Sequence, residues 1–97
     1  MRLTWSAFAL GDRDEIFTHI EADSPRAAIA VDEHIAQAVL RLVEFPESGR
    51  PGRVPGTREL VISRTPYIAA YVLSSDTIRI LRVLHGAQMW PEDFSPD

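Results

Sequence analysis

Residues 67–73 read Tyr-Ile-Ala-Ala-Tyr-Val-Leu, and a second apolar run, 77–84, begins only three residues later. Short runs rich in β-branched and aromatic residues favour strands over helices. Ser74, Ser75 and Asp76 between them supply turn chemistry, so the two runs are expected to form an antiparallel hairpin. The first run is apolar at nearly every position, which places it centrally, covered on much of both faces. The second alternates, with Ile78, Ile80 and Leu84 on one side and Arg79, Leu81 and Val83 on the other. Arg82 breaks the apolar face near its end. A hairpin this apolar cannot stand in water alone, so the rest of the chain must cover it or lead into it.

The first half has the pattern of a cover. Leu3-Thr4-Trp5 is a short strand. Ser6 can cap a helix in which Ala9, Ile16, Phe17 and Ile20 form one stripe and Asp12, Asp14, Glu15, Thr18 and Glu21 a wet face. Ser24 and Pro25 restart the helix, serine as cap and proline at the first helical position. Ala28, Val31, Ile35, Ala38, Leu42 and Phe45 then recur in steps of three and four, and Pro46 stops the run. Residues 47–56 carry three glycines and two prolines and read as a stiff loop. Residues 58–63 form a strand, with Leu60 and Ile62 alternating against Glu59 and Val61, and Arg64-Thr65-Pro66 is a turn. The order β-α-α-β-β-β predicts an α+β fold: a helical hairpin packed on one face of a curved, mainly antiparallel sheet. One domain is expected over 1–91, with a loose acidic tail at 92–97. Tyr67 and Tyr71 share one face of their strand, either in the core or on the open face of the sheet.

Charge divides the chain. Residues 1–45 hold four arginines against eight carboxylates, residues 46–90 hold six arginines against three, and the tail adds three carboxylates, for a net charge of −4. All ten cations are arginine. Genome composition can produce that, but arginine's planar fork also suits carboxylate, phosphate and aromatic partners. The absence of cysteine removes disulfides and thiolate metal sites, which fits a reducing cytoplasm. No apolar run reaches the roughly 20 residues a membrane helix needs, and the first residues are too short and polar for a signal peptide. No membrane association is expected.

Recognisable enzyme motifs are missing. There is no Gly-x-Ser-x-Gly elbow and no phosphate-cradling Gly-x-x-x-x-Gly-Lys loop. His19, His34 and His85 fall on three separate elements without spacing for a shared metal, so no metal and no cofactor is expected.

The ordered series from Gly49 to Pro91 is more informative. A Gly-Arg-x-Gly turn leads to Pro-Gly-Thr-Arg-Glu-Leu at 55–60. A strand of the form Pro-Tyr-x-x-x-Tyr follows at 66–71, and then Ile-Leu-Arg-Val-Leu-His-Gly at 80–86. This series resembles the RelE/ParE superfamily of bacterial toxins, and most closely its ParE-like, plasmid-stabilisation branch. The resemblance implies a type II toxin–antitoxin pair. The chain would inhibit DNA gyrase and so replication, and would be neutralised in a hetero-oligomer by a cognate antitoxin, ParD-like or RelB-like. Arg58, Arg64, Arg82, His85 and Trp90 are the expected target-binding residues, since arginine and tryptophan dominate interface energetics. The alternative is a RelE-like, ribosome-dependent mRNA endonuclease with Arg82 and His85 in catalysis. A histidine beside a cation can move a proton at a phosphodiester; the plainer role for His85 is to shape the strand end. Two departures weigh against RNA cleavage. RelE-like ribonucleases carry an arginine just after the first aromatic residue of the central strand, where this chain has Ile68. Their lysine- and arginine-rich segment after the last strand is here Gly86-Ala87-Gln88-Met89-Trp90.

Overall fold

The computed structural model describes residues 1–94. Strand β1 (Arg2–Trp5) leads into helix α1 (Ala7–Glu21). Helix α2 (Pro25–Leu40) follows and tightens into one 3-10 turn, Arg41–Val43. Strands β2 (Arg50–Pro51), β3 (Arg58–Val61), β4 (Tyr67–Leu73) and β5 (Thr77–His85) complete the order. The five strands form one sheet in the order β1-β5-β4-β3-β2; β1 runs parallel to β5 and every other pairing is antiparallel. The two helices pack on one face of this sheet, as the order of elements predicts.

Both helix starts follow from their caps. The Ser24 hydroxyl accepts from the Ala27 N–H at 3.1 Å, with Pro25 in the first turn. The Ser6 hydroxyl accepts from the Ala9 N–H at 3.0 Å and donates to the Leu81 carbonyl at 2.7 Å. One buried hydroxyl thus begins α1 and fastens it to β5. The α2 stripe buries Ala28, Ile35, Ala38 and Val39, and Leu42 continues it from the 3-10 turn. Phe45 does not join the stripe. The helix has ended by then, and its ring is 60% exposed.

The stripe packs on Tyr67, Ala69, Tyr71, Ile78, Ile80 and Val83. Each such buried apolar side chain contributes about 1.5–3 kcal/mol, and Tyr71 and Ile35 are among the largest that are fully enclosed. Both tyrosines of β4 therefore belong to the core. In β5 the simple alternation fails. Tyr71 pairs with Ile80, but Ala70 pairs with Arg82 and Ala69 with Val83. Leu81 is the extra residue of a β-bulge, and so Val83, not Leu84, shares the Ile78–Ile80 side. A bulge inserts one residue and reverses the facing of everything beyond it. No local residue signals it.

The bulge coincides with the end of β1, whose pairing with β5 stops at Trp5–Ile80. Beyond that point the outer edge of β5 has no neighbouring strand. Ser6 takes the Leu81 carbonyl, and an Asp12 carboxylate oxygen accepts the Val83 N–H at 2.9 Å. Two side chains, the cap of α1 and Asp12 within it, do what the next residues of a strand would have done. Asp12, expected on the wet face of α1, is instead only 8% exposed.

The opposite edge is made by β2, which sequence alone reads as loop. It pairs only Arg50 with Glu59 and Pro51 with Arg58. A proline can occupy an outermost strand, because its missing N–H faces away from the ladder. Residues 92–94 lie beside the sheet through Phe94, whose ring centroid is 6.3 Å from that of Trp90. The remainder of the expected acidic tail, 95–97, lies outside the described residues.

Candidate target-binding face

The face of the sheet turned away from the helices is bordered by the 46–57 loop, by β2 and by the segment after β5. Two strand residues that share one face of the sheet hold the loop. Arg58 and Tyr71 are partners across β3 and β4. The Arg58 Nη2 donates to the Glu47 and Gly49 carbonyls at 2.8 and 2.7 Å. The Tyr71 hydroxyl donates to the Pro46 carbonyl at 2.8 Å and accepts from the Gly49 N–H at 3.0 Å. Gly49 is required at this close approach. A Cβ there would lie 2.7 Å from the Tyr71 ring and 2.9 Å from the Glu59 carbonyl oxygen.

Glu59, the neighbour of Arg58, points the other way and organises the cations. Its Oε2 accepts the Arg53 N–H at 2.8 Å and the Arg53 Nε at 3.1 Å; its Oε1 accepts the Arg50 Nη2 at 3.1 Å. The carboxylate is 3% exposed. Burial alone would raise its pKa, but the hydrogen bonds from Arg53 and Arg50 and the Arg53 charge outweigh that and hold it below the ordinary 4.5. The Arg53 guanidinium then lies over the Trp90 ring, 3.7 Å from its centroid. The Trp90 Nε1 donates to the His85 carbonyl at 3.1 Å. Glu59, Arg53, Trp90 and His85 thus form a connected series from β3 to the end of β5. Beside it lies a hollow of about 500 Å³ walled by Val54, Val72, Leu81 and Phe94.

The five expected contact residues are not brought together. Arg58 is given over to carbonyls of its own loop. Arg64 is exposed at the far turn, with φ of 67°. Arg82 makes a two-pronged pair with Asp12, Nε to Oδ2 at 2.8 Å and Nη2 to Oδ1 at 2.9 Å. That pairing, opposed by burial and aided by the charges of Asp12 and Glu15, holds the Arg82 pKa above its usual value. His85 and Trp90 do meet, through the indole hydrogen bond. The His85 ring stands edge-on to Tyr67 at 5.7 Å, and its Nδ1 accepts the Ala87 N–H at 3.0 Å. In the neutral ring the proton then belongs on Nε2, which makes Nε2 a donor rather than a base. Sequence reasoning did not single out Asp12, Glu59 or Arg53 for these positions. Arg50 and Arg53 in a stiff loop next to one isolated carboxylate were the available signal.

Comparison with known proteins is consistent with this geometry. A family model described as "ParE toxin of type II toxin-antitoxin system, parDE" matches residues 3–90. A Sinorhizobium fredii protein named "Putative toxin Y4kP" is 48% identical over 91 residues, 94% of each chain. The structure titled "Chromosomal ParDE TA system from P. aeruginosa" superposes with a TM-score of 0.77 at 34% identity, covering 86% of this chain and 92% of that one. The chain belongs to the ParE family of toxins of type II toxin–antitoxin systems. Membership implies an antitoxin as partner. No helix among the described residues is long and apolar enough to cross a membrane.

Proposed function

We propose that this toxin arrests growth by binding DNA gyrase through the face carrying Arg53, His85 and Trp90, without performing chemistry of its own. The observation that carries this reading is the engagement of the groups a ribonuclease would need. The Arg82 fork is taken by Asp12, and His85 Nδ1 holds a backbone N–H. A phosphoryl-transfer site needs fixed donors free to meet developing charge. A binding face needs only a supported aromatic residue and cations, which Trp90 and Arg53, held by Glu59, supply. Arg58 and Arg82 act in this reading as supports, and Arg64 lies on a separate surface.

Neutralisation comes from the cognate antitoxin in the cytoplasm, by an extended or helical tail seated on this domain. Phe8 and Leu10, each about half exposed on α1, offer apolar contact, and the basic sheet half offers the electrostatic dock. The test is direct. Purified toxin should inhibit gyrase supercoiling, and Trp90→Ala should relieve that inhibition. Translating ribosomes incubated with the toxin should yield no new mRNA ends. Cuts that disappear with His85→Ala would overturn the proposal in favour of the endonuclease. Growth unaffected by expression without the antitoxin would show a toxin that binds its partner and poisons nothing.

A further inference from the structure

Most arginines in this protein are already engaged. Arg13 pairs with Asp32, Arg50 and Arg53 with Glu59, and Arg82 with Asp12. Arg58 binds loop carbonyls and Arg79 the Thr4 hydroxyl. Among the described residues, Arg2, Arg26, Arg41 and Arg64 make no side-chain hydrogen bond or ion pair. Two of these four line the same hollow. It has a volume of about 270 Å³ and lies between the end of α2 and the turn joining β3 to β4. Its walls are His34, Gln37, Ala38, Arg41, Ser63 and Arg64, and no carboxylate is among them.

The backbone at Arg64 strengthens the case. Arg64 has φ of 67°, and among the described residues it is the only non-glycine residue with positive φ. Glycine or asparagine would hold that turn with less strain. Thr65 already secures the turn without help from the Arg64 side chain, donating its hydroxyl to the Ile62 carbonyl at 2.9 Å and accepting the Tyr67 N–H at 3.0 Å. A strained arginine that serves nothing local is an outlier that points to function.

We propose that this hollow seats a carboxylate from a partner polypeptide. Arg41 and Arg64 present two guanidinium forks, and the Ser63 hydroxyl, the Gln37 amide and the His34 ring add donors. A single carboxylate fits better than a run of phosphates. The hollow lies against an acidic half of the molecule, with Glu33 beside His34 in sequence and Glu44 three residues past Arg41. A polyanion following the surface would meet those charges, whereas one acidic side chain or chain terminus would not. The seat lies apart from the Arg53–Trp90 face, so its occupancy does not depend on what the toxin poisons.

The experiment follows the Arg41 and Arg64 Nε–H signals and the His34 ring by NMR at constant ionic strength. The probes are an acetylated, amidated Gly-Gly-Glu-Gly-Gly peptide with one carboxylate, inorganic phosphate and a short oligothymidylate. The peptide should move these three residues together and leave Arg50 and Arg53 unmoved. Arg41→Gln and Arg64→Gly should each weaken it about fivefold or more. Arg64→Gly should leave the unfolding midpoint unchanged or higher, which separates lost binding from lost folding. Stationary Arg41 and Arg64 signals, or stronger shifts with phosphate or the oligonucleotide than with the peptide, would overturn the proposal.

Discussion

The guanidinium of Arg53 lies 3.7 Å from the centroid of the Trp90 ring while Glu59 grips the same group through Oε2. A cation fixed by a buried carboxylate stacks better than a free one, because its rotamer entropy has already been lost. The indole is held in place by a charge that belongs to the loop between β2 and β3.

Trp90→Ala should therefore cost little stability, about 1 kcal/mol or less for an exposed cation–π contact, and a correspondingly small drop in unfolding midpoint. Growth arrest on induced expression should be lost. A variant that folds as well as the parent and still arrests growth would remove Trp90 from the working face.

Glu59→Gln should lower stability by about 2 kcal/mol near neutral pH, from weakened charge-assisted hydrogen bonds. The pH dependence has a definite sign. The folded-state pKa of Glu59 is lowered, so its contribution is fully present above the ordinary 4.5 and is lost as pH falls through the folded value. Thermal unfolding of the parent should weaken over that acid window, and the glutamine variant should lose part of that slope.

Asp12→Ala strands both the Arg82 guanidinium and the Val83 N–H, and about 2–4 kcal/mol should be lost in urea denaturation. Arg82→Gln should cost less, because Asp12 keeps its backbone donor. The double variant should fall short of the sum by about 1 kcal/mol or more. Additive losses would mean that the pair is not coupled in solution.

Gly49→Ala should cost about 2 kcal/mol or more, since the added methyl meets the Tyr71 ring and the Glu59 carbonyl. Gly11 is the internal control: a Cβ there meets nothing within 4 Å, so alanine in that helix should stabilise slightly.

Local chemistry was legible in the sequence where it acts over a few residues. Ser6 and the Ser24–Pro25 pair announced both helices, and the 74–76 turn announced the hairpin that carries the core. The bulge at Leu81 was not legible, because apolar residues stand on both sides of it and the sequence reads equally well as an unbroken alternation, although the facing reverses there. The burial of Asp12 was hidden for a different reason. Its partners lie about 70 positions away in sequence, and an aspartate among other acids on a helix looks like any wet residue. Trp90 was expected to be exposed, but it is half-buried, and its placement under Arg53 depends on the path of the tail, which no periodicity encodes.

Where β1 runs out, Ser6 and Asp12 occupy the hydrogen-bonding positions of β5. That stretch of β5 is closed to an extended segment, and the open part of this border is the four-residue outer edge of β1. At the opposite border β2 spans only two residues, so Leu60 and Val61 remain at the rim. A visiting strand therefore meets only short edges on either side, four residues at β1 and two at β2, and short edges discourage end-to-end stacking of copies into fibres.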